Sequence, residues 1–402
     1  MKGLYRYLSP FAPDQSGAVS ALYELGGILV ICDAGGCAGN VCGFDEPRWF
    51  TQKSAVFSAG IRDMDAIMGR DDRLMQKIGD AVSQMDAAFV ALIGTPVPAV
   101  IGTDLAALGK LARRRFGLPV LAVDTTGMEL YDKGQEKAWL SLLEAFARPE
   151  PDAARAPALC VWGATPLDLP GENAGERLAQ RLSALGFGRA ACAGYGAGLA
   201  DVENAGAARC NLVVSPSGLA PAKWLQKRFG TPYLAGLPLA ERGLAELKGA
   251  IAAEIAGAPR SRAQNGAGEP VPGEKKPGGV LLLHQQVLAD ALRRELAARG
   301  FSGRADIAGW FAQAPELARP GDRALRAEGD LAALVSERGY AAVAGDPLYR
   351  RALPDFTGVY VELPHYAVSS GIFPEPETET VIQKLLEAAG AGQNGKGGAA
   401  PC

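Results

Sequence analysis

Unbroken apolar runs recur along the chain, separated by stretches with helical periodicity. GILVICD (27–33), AFVALI (88–93) and LPVLAVD (118–124) show no polar–apolar alternation. Runs of this kind suit parallel strands buried on both faces. Between the last two lies TDLAALGKLARRRFG, where Thr103 or Asp104 can cap a helix and Gly117, followed by Pro119, can stop it. A second set of runs covers 158–162, 189–193, 211–215 and 233–235, and a third covers 280–283, 341–344 and 359–363. Alternation of strand and helix builds βαβ units. The expected fold is α/β, with three Rossmann-like doubly wound parallel-sheet domains at 1–150, 151–257 and 280–390. The Gly-, Pro- and charge-rich stretch 258–279 reads as a linker, and the low-complexity stretch 391–402 as a flexible tail.

Two stretches echo each other. RRRFGLPVLAVD (113–124) and QKRFGTPYLAGL (226–237) both run from a helix end through Phe-Gly, one residue and Pro into a strand. This fits either a duplicated domain or a recurrent helix-to-strand turn. Composition narrows the function classes. Of 402 residues, 48% are hydrophobic and 21% charged, with Lys+Arg 41 against Asp+Glu 44. The absence of a basic excess argues against an extended nucleic-acid surface. The longest uncharged stretch, 87–103, is broken by Gly94, Pro96, Pro98 and Gly102, which disfavours a membrane helix. The opening MKGLYRYLSPFAPDQ lacks the apolar centre of a secretory signal, so a cytoplasmic protein is expected. Its seven cysteines then read as core thiols or a metal site rather than a disulfide framework.

The sharpest chemical feature closes the first run. In ILVICDAGGCAGNVCGFDEPRW, Cys32, Cys37 and Cys42 are spaced C-x4-C-x4-C, with Gly35, Gly36, Gly39 and Gly43 around them. Ligands of open α/β sheets bind beyond the carboxyl ends of strands, and glycines there let backbone N–H groups approach a bulky group. Three thiolates in such a loop can hold an iron–sulfur cluster, although the spacing matches no common ferredoxin run. The alternative is a glycine turn with small buried thiols. Cys160, Cys192 and Cys210 lie inside apolar strands and read as packing. GYGAGLADVENAG (194–206) has the look of a nucleotide turn, but no acidic residue closes the next strand, which leaves a tight βα turn as the stronger reading. Only His284 and His365 are present, and no G-x-S-x-G elbow appears, so a hydrolase triad is poorly supported.

The order of these segments resembles component 1 of the nitrogenase family, the group that includes nitrogenase molybdenum–iron subunits and dark-operative protochlorophyllide reductase. Gly17-Ala18 ahead of ILVICDAGGC is similar to the family's helix start and its strand ending in His-Gly-Pro-x-Gly-Cys. The resemblance puts Cys37 on the family's cluster cysteine and Cys32 in place of its histidine. FSAGIRDMDAIMGRDDRL (57–74), TPVPAVIGTD (95–104) and NLVVSPSGLAPAKWLQKRFGTPY (211–233) echo later family stretches, and VELPHYAVSSG puts His365 near the histidine that holds nitrogenase's active-site cofactor. There are departures. The family's first cluster cysteine has no counterpart near Phe11 and Pro13, that of its Cys-Pro motif falls near Pro96, and its cofactor cysteine corresponds to Ser215.

The resemblance implies an electron-accepting oxidoreductase subunit with an iron–sulfur cluster, [4Fe-4S] in type, that reduces a small substrate. It makes Cys37 a metal ligand; Cys32 and Cys42 join it as ligands by the reading of the loop itself, not by the family's pattern. Gly36 and Ser215 would line the cofactor sites, and His365 would be the catalytic candidate or a buried hydrogen-bonding residue. The implied partners are a homologous component 1 subunit, in a homo- or heterodimer, and an ATP-dependent iron protein reductase. Loss of the cofactor cysteine leaves a second reading, a non-enzymatic scaffold for metallocluster or tetrapyrrole cofactor assembly.

Overall fold

The computed structural model describes residues 5–69, 71–257, 279–371 and 377–391. The linker over 258–278 and the tail beyond 391 lie outside these residues, and the strand of the third block begins at Gly279 itself. The fold is α/β with three parallel sheets. The first holds β1 (Gly27–Ile31), β2 (Ala55–Ser58), β3 (Phe89–Ile93) and β4 (Val120–Val123) in the order β2-β1-β3-β4. The second holds β5 (Leu159–Trp162), β6 (Ala190–Cys192), β7 (Cys210–Val213) and β8 (Tyr233–Ala235) in the order β6-β5-β7-β8. The third holds β9 (Gly279–Leu283), β10 (Ala305–Gly309), β11 (Arg323–Ala324), β12 (Tyr340–Gly345) and β13 (Val359–Glu362), ordered β11-β10-β9-β12-β13. β1, β3, β5, β7 and β9 are buried along their whole length, as unbroken apolar runs require.

The first two sheets share one strand order, second-first-third-fourth, and they share the echoed turn. The helix Leu105–Phe116 ends at Gly117 with φ 69°, whose N–H returns to the Arg113 carbonyl. The helix Leu219–Phe229 ends at Gly230 with φ 74°, whose N–H returns to Gln226. Glycine tolerates this left-handed cap without steric cost. Each helix then leads into the edge strand of its sheet. At the other end of the first helix, the Asp104 carboxylate accepts the Ala107 N–H at 2.9 Å, as a side-chain cap should.

Two compact units result. One spans Phe11–Val213 and Ser217–Tyr233 and carries the first and second sheets; the other gathers Met1–Pro10, Val214–Pro216 and Leu234–Cys402, with the third. In the first unit, the helices Asp14–Leu22 and Tyr131–Phe146 cross through two glycine notches. A Cβ at Gly17 would sit 1.8 Å from the Tyr131 carbonyl oxygen, and one at Gly134 would sit 1.7 Å from that of Asp14. No larger residue fits either notch. Among the described residues, no helix is long and apolar enough to cross a membrane.

Candidate functional site

The first sheet reverses its winding between β1 and β3, and the crevice beyond their carboxyl ends is where such folds bind ligands. Backbone bonds shape its floor: the Cys32 N–H donates to the Ile93 carbonyl at 2.8 Å, and the Thr95 hydroxyl donates to the Cys32 carbonyl at 2.7 Å. Asp33 is buried and folds the following loop back on itself. Its carboxylate accepts the Ala38 N–H at 2.8 Å and the Ser58 hydroxyl at 2.6 Å. The loop leaves through Gly35 at φ 119°, forms a short helix Gly36–Asn40 and widens into a π-turn over Val41–Asp45. A Cβ at Gly35, Gly36, Gly39 or Gly43 would meet nothing within 4 Å, so this face of the loop stands uncovered.

The three thiols of this segment are divided. Cys37 and Cys42 are half-buried on the loop, beside exposed Gly36. Cys32 is 1% exposed and continues the Ile28–Val30 face of β1 into the apolar cluster with Met75, Ile78 and Leu92. Its sulfur lies 3.8 Å from the Val30 carbonyl oxygen. Burial pushes the Cys32 thiol up to about 12. Burial, then the negative charge of Asp33, also raises Cys37, against an opposing hydrogen bond to Thr95. Cys42 is raised by burial and by Glu46 and Asp33. Each unliganded thiol is therefore held in its protonated form at neutral pH. Among the described residues, no three or more His, Cys, Asp or Glu side chains are grouped to hold a metal ion. Of the expected three-thiolate set, Cys37 and Cys42 stand on the loop, whereas Cys32 packs into the core beneath it. Cys160, Cys192 and Cys210 are buried in their strands, as the sequence suggested.

The loop's far end is fixed by Arg48, which sequence reasoning passed over. Its buried guanidinium pairs with Glu46 at 2.7 Å and Glu24 at 2.8 Å, and donates to the carbonyls of Ser20 at 2.7 Å and Gly194 at 2.9 Å. The rings of Tyr23 and Tyr195 lie 4.7 and 5.3 Å from it. Glu24 also accepts the Gly196 N–H at 2.6 Å. The glycine turn at 194–198 thus binds the chain's own acidic and cationic groups, in keeping with a tight turn. Exposed apolar side chains stand on every connection that follows a strand of the first sheet: Phe44 and Phe50 after β1, Ile67 and Met68 after β2, Val100 after β3 and Met128 after β4, with Val100 and Met128 each 84% exposed.

The equivalent crevice of the second sheet is filled. Tyr131 donates to Asp168 at 2.7 Å, Gln135 donates to Thr165 at 2.6 Å and to Asp168 at 3.2 Å, and Ser217 donates to Gln135 at 2.7 Å. All five residues are buried.

In the third sheet, four strand ends converge. His284 follows β9, Phe311 follows β10, Asp346 follows β12 and His365 follows β13. The His365 ring stacks on Phe311 at 4.7 Å and lies 4.4 Å from the His284 ring. Both histidines are buried. Burial lowers His284 to about 4, while burial and the neighbouring His284 hold His365 well below its ordinary value. Ser215, the other residue singled out, is fully buried in the segment Val214–Pro216 of the same unit.

A thiol-bearing glycine loop thus stands at the switch point of the first sheet, the second sheet repeats its strand order, and a third parallel sheet follows. The chain matches the nitrogenase component 1 type oxidoreductase family over residues 15–267 and belongs to it. It is 28% identical over 190 residues to the nitrogenase iron-molybdenum cofactor biosynthesis protein NifE of Bradyrhizobium diazoefficiens, covering 45% of this chain and 33% of that protein. It is also 28% identical over 187 residues to NifE of Rhizobium meliloti, covering 45% and 38%. These matches therefore span little more than a third of the relatives' own length. Two solved structures titled nitrogenase Cp1 share the fold. The one at pH 6.5 has a TM-score of 0.69 at 11% identity over 99% of this chain and 96% of that one. The one at pH 5 has 0.64 at 14%, over 98% and 90%.

Proposed function

We propose that this chain is a component 1-like subunit that carries an iron–sulfur cluster in the crevice of the first sheet. The observation supporting this is the uncovered glycine loop bearing Cys37 and Cys42 at the β1–β3 switch point. Thiolate donors suit iron–sulfur clusters, but a cubane usually takes four. The donor set fits in part: this chain supplies Cys37 and Cys42, and the remaining ligands come from a second, homologous component 1 subunit. The exposed apolar side chains around the loop favour such a partner, because patches of this kind mark interaction surfaces. A bound [4Fe-4S] cluster would supply one-electron transfer. The chain's own residues do the holding: Asp33 folds the loop, Thr95 faces Cys37, and Arg48 ties down the loop's far end. Binding requires both thiols to release protons that burial, and then the neighbouring carboxylates, hold in place.

In this reading an ATP-dependent iron protein delivers low-potential electrons, and His365 and Ser215 of the third-sheet unit face a small substrate. A second reading, an assembly scaffold for a metallocluster, is favoured by the likeness to cofactor biosynthesis proteins and by Ser215 standing where a cofactor thiolate is expected. Iron and acid-labile sulfide analysis of anaerobically purified protein, with EPR of the reduced state, tests the shared core of both. Iron that persists in the Cys37→Ala, Cys42→Ala double variant sinks it. Turnover with a cognate reductase then separates the subunit from the scaffold.

A further inference from the structure

The third sheet's histidine pair contains a residue to which the family resemblance gives no role. His284 ends β9 and opens the triplet His284-Gln285-Gln286, three consecutive buried polar residues in an otherwise apolar core. Each is tied to a different segment. Gln286 exchanges two hydrogen bonds with Ala314, at 2.6 and 3.2 Å. Gln285 caps the next helix through the Val287 N–H at 2.8 Å and donates to the Val214 carbonyl at 3.0 Å, next to Ser215. The Nε2 of His284 lies 3.4 Å from the carbonyl oxygen of Pro364, the residue before His365. A carbonyl oxygen only accepts, so this nitrogen carries the proton. The Nδ1 of His284 is then a bare acceptor, buried without a hydrogen-bond partner.

We propose that His284 is a positioning residue for His365: its ring packs against the second imidazole, which also stacks on Phe311, and its Nε2–H pins the backbone that presents it. The proposal rests on the reading of His365 as the working residue of this crevice. The polar and charged groups near the pair are engaged elsewhere in the bonds that follow. The Asp346 carboxylate is spent on the backbone N–H groups of His365 and Leu348, at 2.8 Å each, and on the Ser369 hydroxyl at 2.8 Å. Tyr360 donates to the Asp346 carbonyl at 2.6 Å, and Tyr349 is buried against Trp310 with ring centroids 5.1 Å apart. Glu362, at the end of β13, is exposed and acts on Asp346 through its charge.

The chain has only two histidines, so selective labelling gives two imidazole signal sets. In the wild-type protein, 15N shifts should show His284 protonated at Nε2, and the His365 signals should not titrate between pH 8 and 5.5. His284→Ala should remove the ring packed against His365 and start its titration within about one unit of the ordinary imidazole value of ~6.5. His284→Phe, which restores a ring at this position, should suppress that titration again. A His365 signal unchanged in His284→Ala overturns the proposal. If His284→Ala does not fold, the wild-type tautomer decides, because an Nδ1–H His284 overturns the proposal and an Nε2–H His284 sustains it. The measurement needs neither metal nor turnover. A functional protein carrying His365→Ala would retire the working role of that residue and leave the positioning result standing.

Discussion

The first and second sheets have the same strand order, the same helix-to-edge-strand turn and the same place for a crevice, and they use it in opposite ways. Beyond β1 and β3 the chain places an open glycine loop with two half-buried thiols and exposed apolar neighbours. Beyond β5 and β7 it places Tyr131, Gln135, Thr165, Asp168 and Ser217, bonded to one another and shut from solvent. Topology therefore provides a crevice, and side chains decide whether it binds or is sealed. The helix Tyr131–Phe146 makes the difference: it lends Tyr131 and Gln135 to the second crevice while its glycine notch locks against the helix Asp14–Leu22.

The largest break comes at that lock. Gly134→Val drives a side chain into the Asp14 carbonyl, and we expect a loss of about 4 kcal/mol or more, or insoluble expression. Gly36→Ala, in the open loop, should stay within about 0.5 kcal/mol by urea unfolding. A similar cost at both sites would erase the contrast.

The third sheet buries its histidine pair, and pH probes it. His284 has a folded value of about 4 against an unfolded value of about 6.5. Its contribution is full above 6.5, is lost as pH falls through this window, and levels off below 4. We expect up to about 3 kcal/mol lost from His284 between pH 7 and 4. Urea midpoints measured across that range should flatten in His284→Phe; an unchanged slope would refute the assignment.

A smaller effect tests the seal of the second crevice. Gln135→Leu leaves Thr165, Asp168 and Ser217 short of a partner, at a cost of about 1–3 kcal/mol. Calorimetry should show this as a lowered Tm. Within the first crevice, Cys32→Ala should cost about 1–3 kcal/mol as a core truncation. Cys37→Ala should leave stability nearly untouched while removing a thiol that alkylating reagents reach, and equal reactivity of Cys32 and Cys37 would contradict their placement.

Ten of the thirteen strands were legible as apolar runs. The three that were not lack that signal for separate reasons. β2 is a half-exposed edge strand, β10 carries the buried Asp306 that pairs with Arg338 and accepts the Tyr340 hydroxyl, and β11 is two exposed residues long. The thiol loop was legible too, but not its division. Spacing alone grouped Cys32 with Cys37 and Cys42, whereas strand parity puts Cys32 on the inward face of Ile28 and Val30. Asp33 and Thr95 stand at strand ends where an organising residue is to be sought. Arg48 and the approach of His284 to His365 arise from long-range packing, which no local pattern reports.

Arg48 also bears on motion. One guanidinium binds the loop's own Glu46, the first helix through Ser20, Glu24 beyond it and the second repeat through Gly194. A surface loop ordinarily frays on its own, but this one cannot release its far end without also breaking contacts in both repeats. Amides of Val41–Phe50 should then exchange with the cooperative opening of the whole unit, so that the thiol-bearing loop keeps its shape for as long as the fold persists.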